Sequence, residues 1–418
     1  MNRARSVAES PSMLRVLRHR ESALLIAGQA VSSFGDGIAN VALPLMIIST
    51  THSATKLGLF AAARTLPMVL LMLFGGVIVD RFSRRQLLLI SDTCRAIFVG
   101  VVATLELSHH LHFWHLLVFA LLFGAFDAVF MPAMTALTPE IVPDELFGSM
   151  NALRGLSAGV VGGMLGPAVG GVLTIWNPGG TLAIDAVTFV VSAIALAMMR
   201  ATSRPESSTT STMLTEIREG LRYTMRTPWI WIILLSAGLS NALVFSPVSV
   251  LTPYFLKHDL GASARIVGLS FACAGAAGGL GSLIVGSLPS PRRRIRAMSL
   301  AWLVSMLAAL IICVAHAPWE VFLVGIISAP LSVYGNVIWE SLLQSEVPRE
   351  LLGRISSVDW FVSLGLTPLG IMFASELTAT IGLRHYVLVA VLVCVIPSVM
   401  ALRSKPANAI DAGRVVSK

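Results

Sequence analysis

The chain is 418 residues long, 55% hydrophobic and only 12% charged, with a net charge of +8. Soluble domains carry roughly twice that share of charged side chains, so the composition excludes an ordinary soluble enzyme and points to a polytopic membrane protein. At about 20 residues per span, this length holds about twelve transmembrane helices joined by short loops.

Apolar periodic runs bounded by Gly, Pro or charge give spans at 23–48, 57–79, 87–107, 114–137, 150–174, 181–200, 229–255, 266–288, 297–316, 319–342, 355–380 and 383–402. In hydrocarbon every backbone group has to be satisfied internally, so each span is expected to be a helix. Arg3, Arg5, Arg15, Arg18 and Arg20 precede the first run in the manner of a signal peptide. That run continues past Met46 without an Ala-x-Ala site and leads into more spans, so it reads as an uncleaved first helix. Between the sixth and seventh spans, 203–212 is Ser/Thr-rich and reads as a flexible linker. Residues 215–226 put apolar and basic side chains on different faces and are expected to lie along the inner membrane surface. The expected organisation is an N-terminal segment 1–22, a six-helix bundle 23–200, a linker with an amphipathic helix 201–228, a second six-helix bundle 229–403 and a tail 404–418.

Most Lys and Arg fall in the termini and in alternate loops. Lys56, Lys257, Arg265 and Arg384 fall in the opposite loops, and Arg64, Arg95 and Arg154 lie within spans. This asymmetry sets both termini in the cytoplasm and accounts for the positive charge without nucleic acid. Cys94, Cys273, Cys313 and Cys394 sit in apolar runs with no paired spacing, so neither a disulfide nor a zinc site is expected. The histidines of 108–115 match no common zinc spacing and read as a solvated loop. None of Lys56, Lys257, Lys405 and Lys418 is followed by Ser or Thr, so there is no P-loop. Without a nucleophile–base pair either, no enzyme and no cofactor is expected, and energy has to come from an ion gradient or a partner protein.

The halves repeat. Gly58, Gly76 and Arg84 recur at one constant offset as Gly268, Gly286 and Arg294, and Val142-Pro-Asp-Glu-Leu-Phe-Gly148 recurs as Val347-Pro-Arg-Glu-Leu-Leu-Gly353. The expected fold is all-α, with twelve transmembrane helices in two pseudo-symmetric six-helix bundles and a substrate path between them. Ser290 stands where Asp80 stands in the first half, so the two loops are not equivalent.

Ionisable residues inside spans are costly and are functional candidates by default. Asp36 on the first span lies about 20 Å from the inner face, and Arg64 on the second about 10 Å below the outer face, at similar depth. That depth permits the two to pair. Asp127, mid-way along the fourth span, has no charge near it in sequence, and an unpaired carboxyl there is able to load and release a proton. Asp92 and Arg95, at i and i+3, are expected to pair locally. With Asp80, Arg81, Arg84 and Arg85 they form a candidate latch at the cytoplasmic gate. Asp185 and Glu376 are left open between cavity and interface, while Glu340 and Asp359 lie near the inner surface and read as latch or solvent charges. Gly162, Gly166, Pro167, Gly170 and Gly171 make a smooth, bendable face on the fifth span. Phe and Met outnumber Tyr, which leans toward an apolar or amphipathic solute.

The pattern Gly76-x-x-x-Asp80-Arg81-x-x-Arg84-Arg85 resembles the loop signature of the major facilitator superfamily, with Ser83 where members usually carry Gly. Gly162-x-x-x-Gly166-Pro167-x-x-Gly170-Gly171 resembles the antiporter signature of its drug–proton exporters, with Leu153 where members often carry Gly. Longer phrases include Gly28-Gln-x-x-x-Ser-x-x-Gly35-Asp36, Ala63-Arg64-x-x-Pro67, Asn151-Ala-Leu-Arg154 and Val347-Pro-x-Glu-Leu-Leu-Gly-Arg354. These resemble the bacterial branch of enterobactin-type siderophore exporters and macrolide-efflux proteins. The resemblance implies a monomeric, proton-driven exporter of a small molecule, working by alternating access. It also implies that Asp80 holds one state by contacting a helix of the other half. A metabolite importer or facilitator of the same fold is the second reading.

Overall fold

The computed structural model describes residues 13–143, 146–200, 213–287, 291–404 and 411, apart from the side chains of 72–81 and of shorter stretches near several helix ends. Six helices form the first half: α1 (Arg20–Thr51), α2 (Ala54–Arg81), α3 (Arg84–Leu107), α4 (Phe113–Ile141), α5 (147–176) and α6 (Pro178–Met198). Six more form the second: α7 (Pro228–His258), α8 (Ala264–Ser287), α9 (Arg294–Val314), α10 (Pro318–Glu346), α11 (349–381) and α12 (383–403). Each expected span falls on one of these helices, with ends differing by a few residues. The break between α11 and α12 is made by Gly382 at φ 79°, a backbone conformation that costs glycine little and other residues much.

Lipid tails are as apolar as Leu, so membrane helices associate through close packing of small residues. Helix α5 shows this on two sides. A Cβ on Gly166 would stand 2.7 Å from the Gly37 Cα of α1, and one on Gly170 would stand 2.8 Å from the Ile38 carbonyl oxygen. On its other side, a Cβ on Gly171 would stand 2.8 Å from the Gly268 Cα of α8. Gly58 of α2 packs against Ser375 of α11 in the same way. The repeated glycines Gly58 and Gly268 therefore mark the two seams between the halves, α2 with α11 and α8 with α5.

Two helices change pitch inside the membrane. Helix α5 is π-helical over Ser157–Leu165, just before Pro167, whose nitrogen has no proton to donate. Helix α7 is π-helical over Asn241–Phe245.

The packing also differs between the two membrane faces. At the face where α1 begins and α12 ends, Leu25, Leu88 and Met134 belong to a core of the first half, and Trp229, Ile295 and Leu342 to a separate core of the second. At the far face Val41, Leu45 and Ala54 share one core with Leu251, Phe255 and Ala374. The helix Met213–Arg226 between the halves buries Thr224 and packs Tyr223 on the second half, while Leu221 and Met225 stay exposed.

Candidate functional site

Helix packing in the first half brings the intramembrane charges together. Gly124 of α4 leaves room for the Arg64 carbonyl of α2, and that close crossing puts the Arg64 guanidinium 3.6 Å from Asp127 Oδ2. A second guanidinium nitrogen of Arg64 donates to Asn40 Oδ1 at 3.5 Å. From α3, Arg95 donates to Asp127 Oδ1 at 2.5 Å and stands 3.7 Å from Asp92 Oδ1. Asp92 Oδ2 accepts from Ser192 Oγ at 2.6 Å, and Ser192 Oγ accepts from Gln29 at 3.3 Å. The rings of Phe130, Phe123 and Phe189 lie 4.3, 5.3 and 5.7 Å from the Arg95 guanidinium, and Phe123 also lies 4.6 Å from that of Arg64. Such rings present a negative face to a cation that has lost its water. Arg95 and Asp92 are buried, whereas the Asp127 and Arg64 side chains remain 22% and 29% exposed.

This arrangement corrects two expectations. Asp127, isolated in sequence, carries two guanidiniums from neighbouring helices. Arg64 turns to Asp127 and Asn40 instead of Asp36, because the α2–α4 crossing at Gly124 sets its direction. Asp36 lies between two glycines committed to different neighbours: Gly35 against Asp185 and Thr188 of α6, Gly37 against α5. It makes no ion pair among the described residues, yet it is within electrostatic range of Arg95, Asp127, Arg64 and Asp92. Asp185 is buried, holds a hydrogen bond from Thr188 Oγ1 at 3.4 Å, and is in range of Asp36, Arg64 and Arg95. The cluster thus contains the carboxyls of Asp36, Asp92, Asp127 and Asp185 against the guanidiniums of Arg64 and Arg95. The available signal for Asp185 was the polar stripe Asp185, Thr188 and Ser192, which keeps to one face of α6.

The candidate latch separates into parts. Asp92 and Arg95 belong to the buried cluster, not to the loop. Arg84 forms an ion pair with Glu140 at the end of α4. Arg85 donates to the carbonyls of Leu196 and Ala197 at 2.7 and 2.6 Å, capping the carbonyl-rich end of α6. These partners all lie in the first half. The side chains of Gly76, Asp80, Arg81 and Arg354 lie outside the described residues. Glu376 crosses the seam at the far face, where its Oε2 accepts from Thr55 Oγ1 at 3.2 Å. The glycine row of α5 divides its work: Gly162, Gly166 and Gly170 meet α1, while Gly171 meets α8 and Pro167 packs against Gly37.

A family model described as Major Facilitator Superfamily matches residues 25–366. The chain belongs to the major facilitator superfamily. Major facilitator relatives from the branch suggested by the sequence phrases match most of its length. The multidrug efflux pump Tap of Mycobacterium tuberculosis is 28% identical over 416 residues, covering 93% of this chain and 94% of Tap. Macrolide efflux protein A of Streptococcus pyogenes is 24% identical over 385 residues, with 88% and 92% covered. The enterobactin exporter EntS of Citrobacter koseri is 27% identical over 332 residues, with 77% and 76% covered. Among solved structures, a bacterial homologue of the human lysosomal transporter Spinster, inward-facing and unoccupied, superposes with a TM-score of 0.71 at 16% identity. It covers 97% of this chain and 99% of that chain, a likeness of fold. The chain is a multi-pass membrane transporter with the major facilitator architecture.

Proposed function

We propose that this transporter exports an amphipathic small molecule in exchange for protons, as a monomer in a bacterial plasma membrane with both termini in the cytoplasm. The observation that carries the reading is a charge imbalance: four carboxyls and two guanidiniums share one largely buried cluster. Unmatched charge away from water is costly, so the cluster reaches neutrality by taking up protons. Asp36 or Asp127, both only partly buried, takes up the proton. A neutral Asp127 releases Arg95 from the 2.5 Å bond toward Asp92, and Arg64 toward Asn40. Asp36 rides on α1, whose glycine contact with α5 passes the change to the seam with α8.

Proton and substrate then exclude one another, because each charge state of the cluster favours one conformation. In this reading Arg84 and Arg85 hold the loop to the first half, leaving Asp80 to engage the second. The efflux activities named for Tap, macrolide efflux protein A and EntS support export of a small molecule.

The test is a drug and siderophore susceptibility panel in a host stripped of its own pumps, comparing wild type with Asp36→Asn and Asp127→Asn at matched membrane levels. The expected result is resistance to at least one amphipathic compound, abolished by a protonophore and lost in both variants. Resistance that persists with a protonophore, or in Asp127→Asn, removes proton coupling through this cluster.

A further inference from the structure

Within the second half, on the side of the membrane where α7 begins and α12 ends, lies a cavity of about 390 Å³, within the size range of small-molecule sites. Its wall comes from α7, α9, α10, α11 and α12, all within residues 233–401, so it is internal to one bundle and separate from the charge cluster. Three tryptophans line it. Trp339 Nε1 donates to Asp359 Oδ2 at 2.8 Å and Trp302 Nε1 donates to Asn336 Oδ1 at 3.2 Å, which fixes both rings by their polar edges. Trp360, 54% exposed, and the exposed Glu340 also line it.

The acids of this wall have no counter-charge among the described residues. Asp359 accepts from Trp339 and, at 3.1 Å, from Ser363, so both its oxygens are held by neutral donors. Glu340 makes no ion pair among the described residues and is in electrostatic range of Asp359. The described lining contains no Lys, Arg or His. Arg294, at the start of α9, is engaged by Ser345 and Glu346 at 2.8 Å each. Two carboxyls in range of one another beside three indoles suit a cation, and an indole face is the aromatic surface that attracts cations best.

We infer that this cavity is a binding site for a free organic ammonium ion, with Glu340 and Asp359 supplying the counter-charge and Trp302, Trp339 and Trp360 the apolar walls. The site stands independently of proton-coupled export, since none of its residues belongs to the cluster that carries that reading.

The test uses the full chain in phosphatidylglycerol nanodiscs, titrated with benzyltrimethylammonium and with its uncharged isostere neopentylbenzene. Tryptophan fluorescence is the readout, because three indoles line the cavity. Saturable quenching by the cation is expected, at least about tenfold weaker in Glu340→Gln and weaker still with Asp359→Asn added. Glu340→Gln changes an exposed side chain, and an unchanged thermal midpoint shows that its fold is kept. The same titration in Asp36→Asn is expected to match wild type. Four outcomes would overturn the site: no saturable quenching, equal binding of neopentylbenzene, cation binding that survives the double substitution, or loss of binding in Asp36→Asn. Competition from phosphatidylethanolamine added to the nanodiscs would reassign the site to a lipid headgroup and overturn it as well.

Discussion

In the first half, Asp92 and Asp127 face Arg95 at 3.7 and 2.5 Å, with Arg64 3.6 Å from Asp127. In the second, Glu340 and Asp359 face a tryptophan N–H, a serine hydroxyl and one another. The backbone repeats across the halves, and Gly58 and Gly268 hold equivalent places at the two seams. The charges do not repeat. The seam glycines keep the symmetry of the repeat, and the ionisable side chains drop it. In the proposed reading, the buried acids with fixed arginines carry the proton-dependent rearrangement, whereas the acids with only neutral donors receive a mobile cation.

The largest expected effect comes from breaking the first arrangement. Arg95→Leu leaves Asp92 buried without its charge partner and is expected to destabilise the protein by about 3–5 kcal/mol. The measurement is the yield of monodisperse protein and its thermal midpoint in detergent. Adding Asp92→Asn and Asp127→Asn to that variant should recover much of the loss; no recovery would mean that Arg95 acts through packing on its phenylalanines. Next comes the seam. Gly268→Leu forces α8 from α5, where even a Cβ would stand 2.5 Å from the Pro167 carbonyl oxygen, so membrane insertion should persist while exchange transport in vesicles is lost.

A smaller effect is expected in the second half. Asp359→Ala leaves the Trp339 N–H without its acceptor and should cost about 1–3 kcal/mol in stability, while proton-driven transport persists. Loss of proton coupling in that variant would erase the contrast between the halves. Smallest is Arg85→Ala, which removes the cap from α6 and should cost about 0.3–1 kcal/mol, read as a slight fall in thermal midpoint that shrinks at high salt.

The twelve helices were legible because a continuous apolar run in lipid has one solution, and the Gly58–Gly268 repeat pointed to what became the seams. The partners of Asp127 were not legible. A helix that is apolar on nearly every side carries little phase information, so its sequence does not reveal which face meets which neighbour. The direction of Arg64 is decided by Gly124, a residue on another helix whose only contribution is to be small. The Asp92–Arg95 pair is visible at i, i+3, but the loop charges beside it suggest a network at the gate, whereas the structure buries the pair against Asp127. The sequence places Glu340 and Asp359 near the inner surface. That depth is consistent with the cavity, but three tryptophans from three different helices had to converge before a wall existed.

The two bare faces of α5 have a mechanical consequence. Side chains that interlock index one helix against another, so sliding means climbing from notch to notch. Where backbone lies on backbone, as at Gly166 with Gly37 and Gly171 with Gly268, there are no teeth. Helix α5 sits between α1 and α8 as a plain bearing sits between shaft and housing: tight enough to seal out lipid, and smooth enough to turn with little friction.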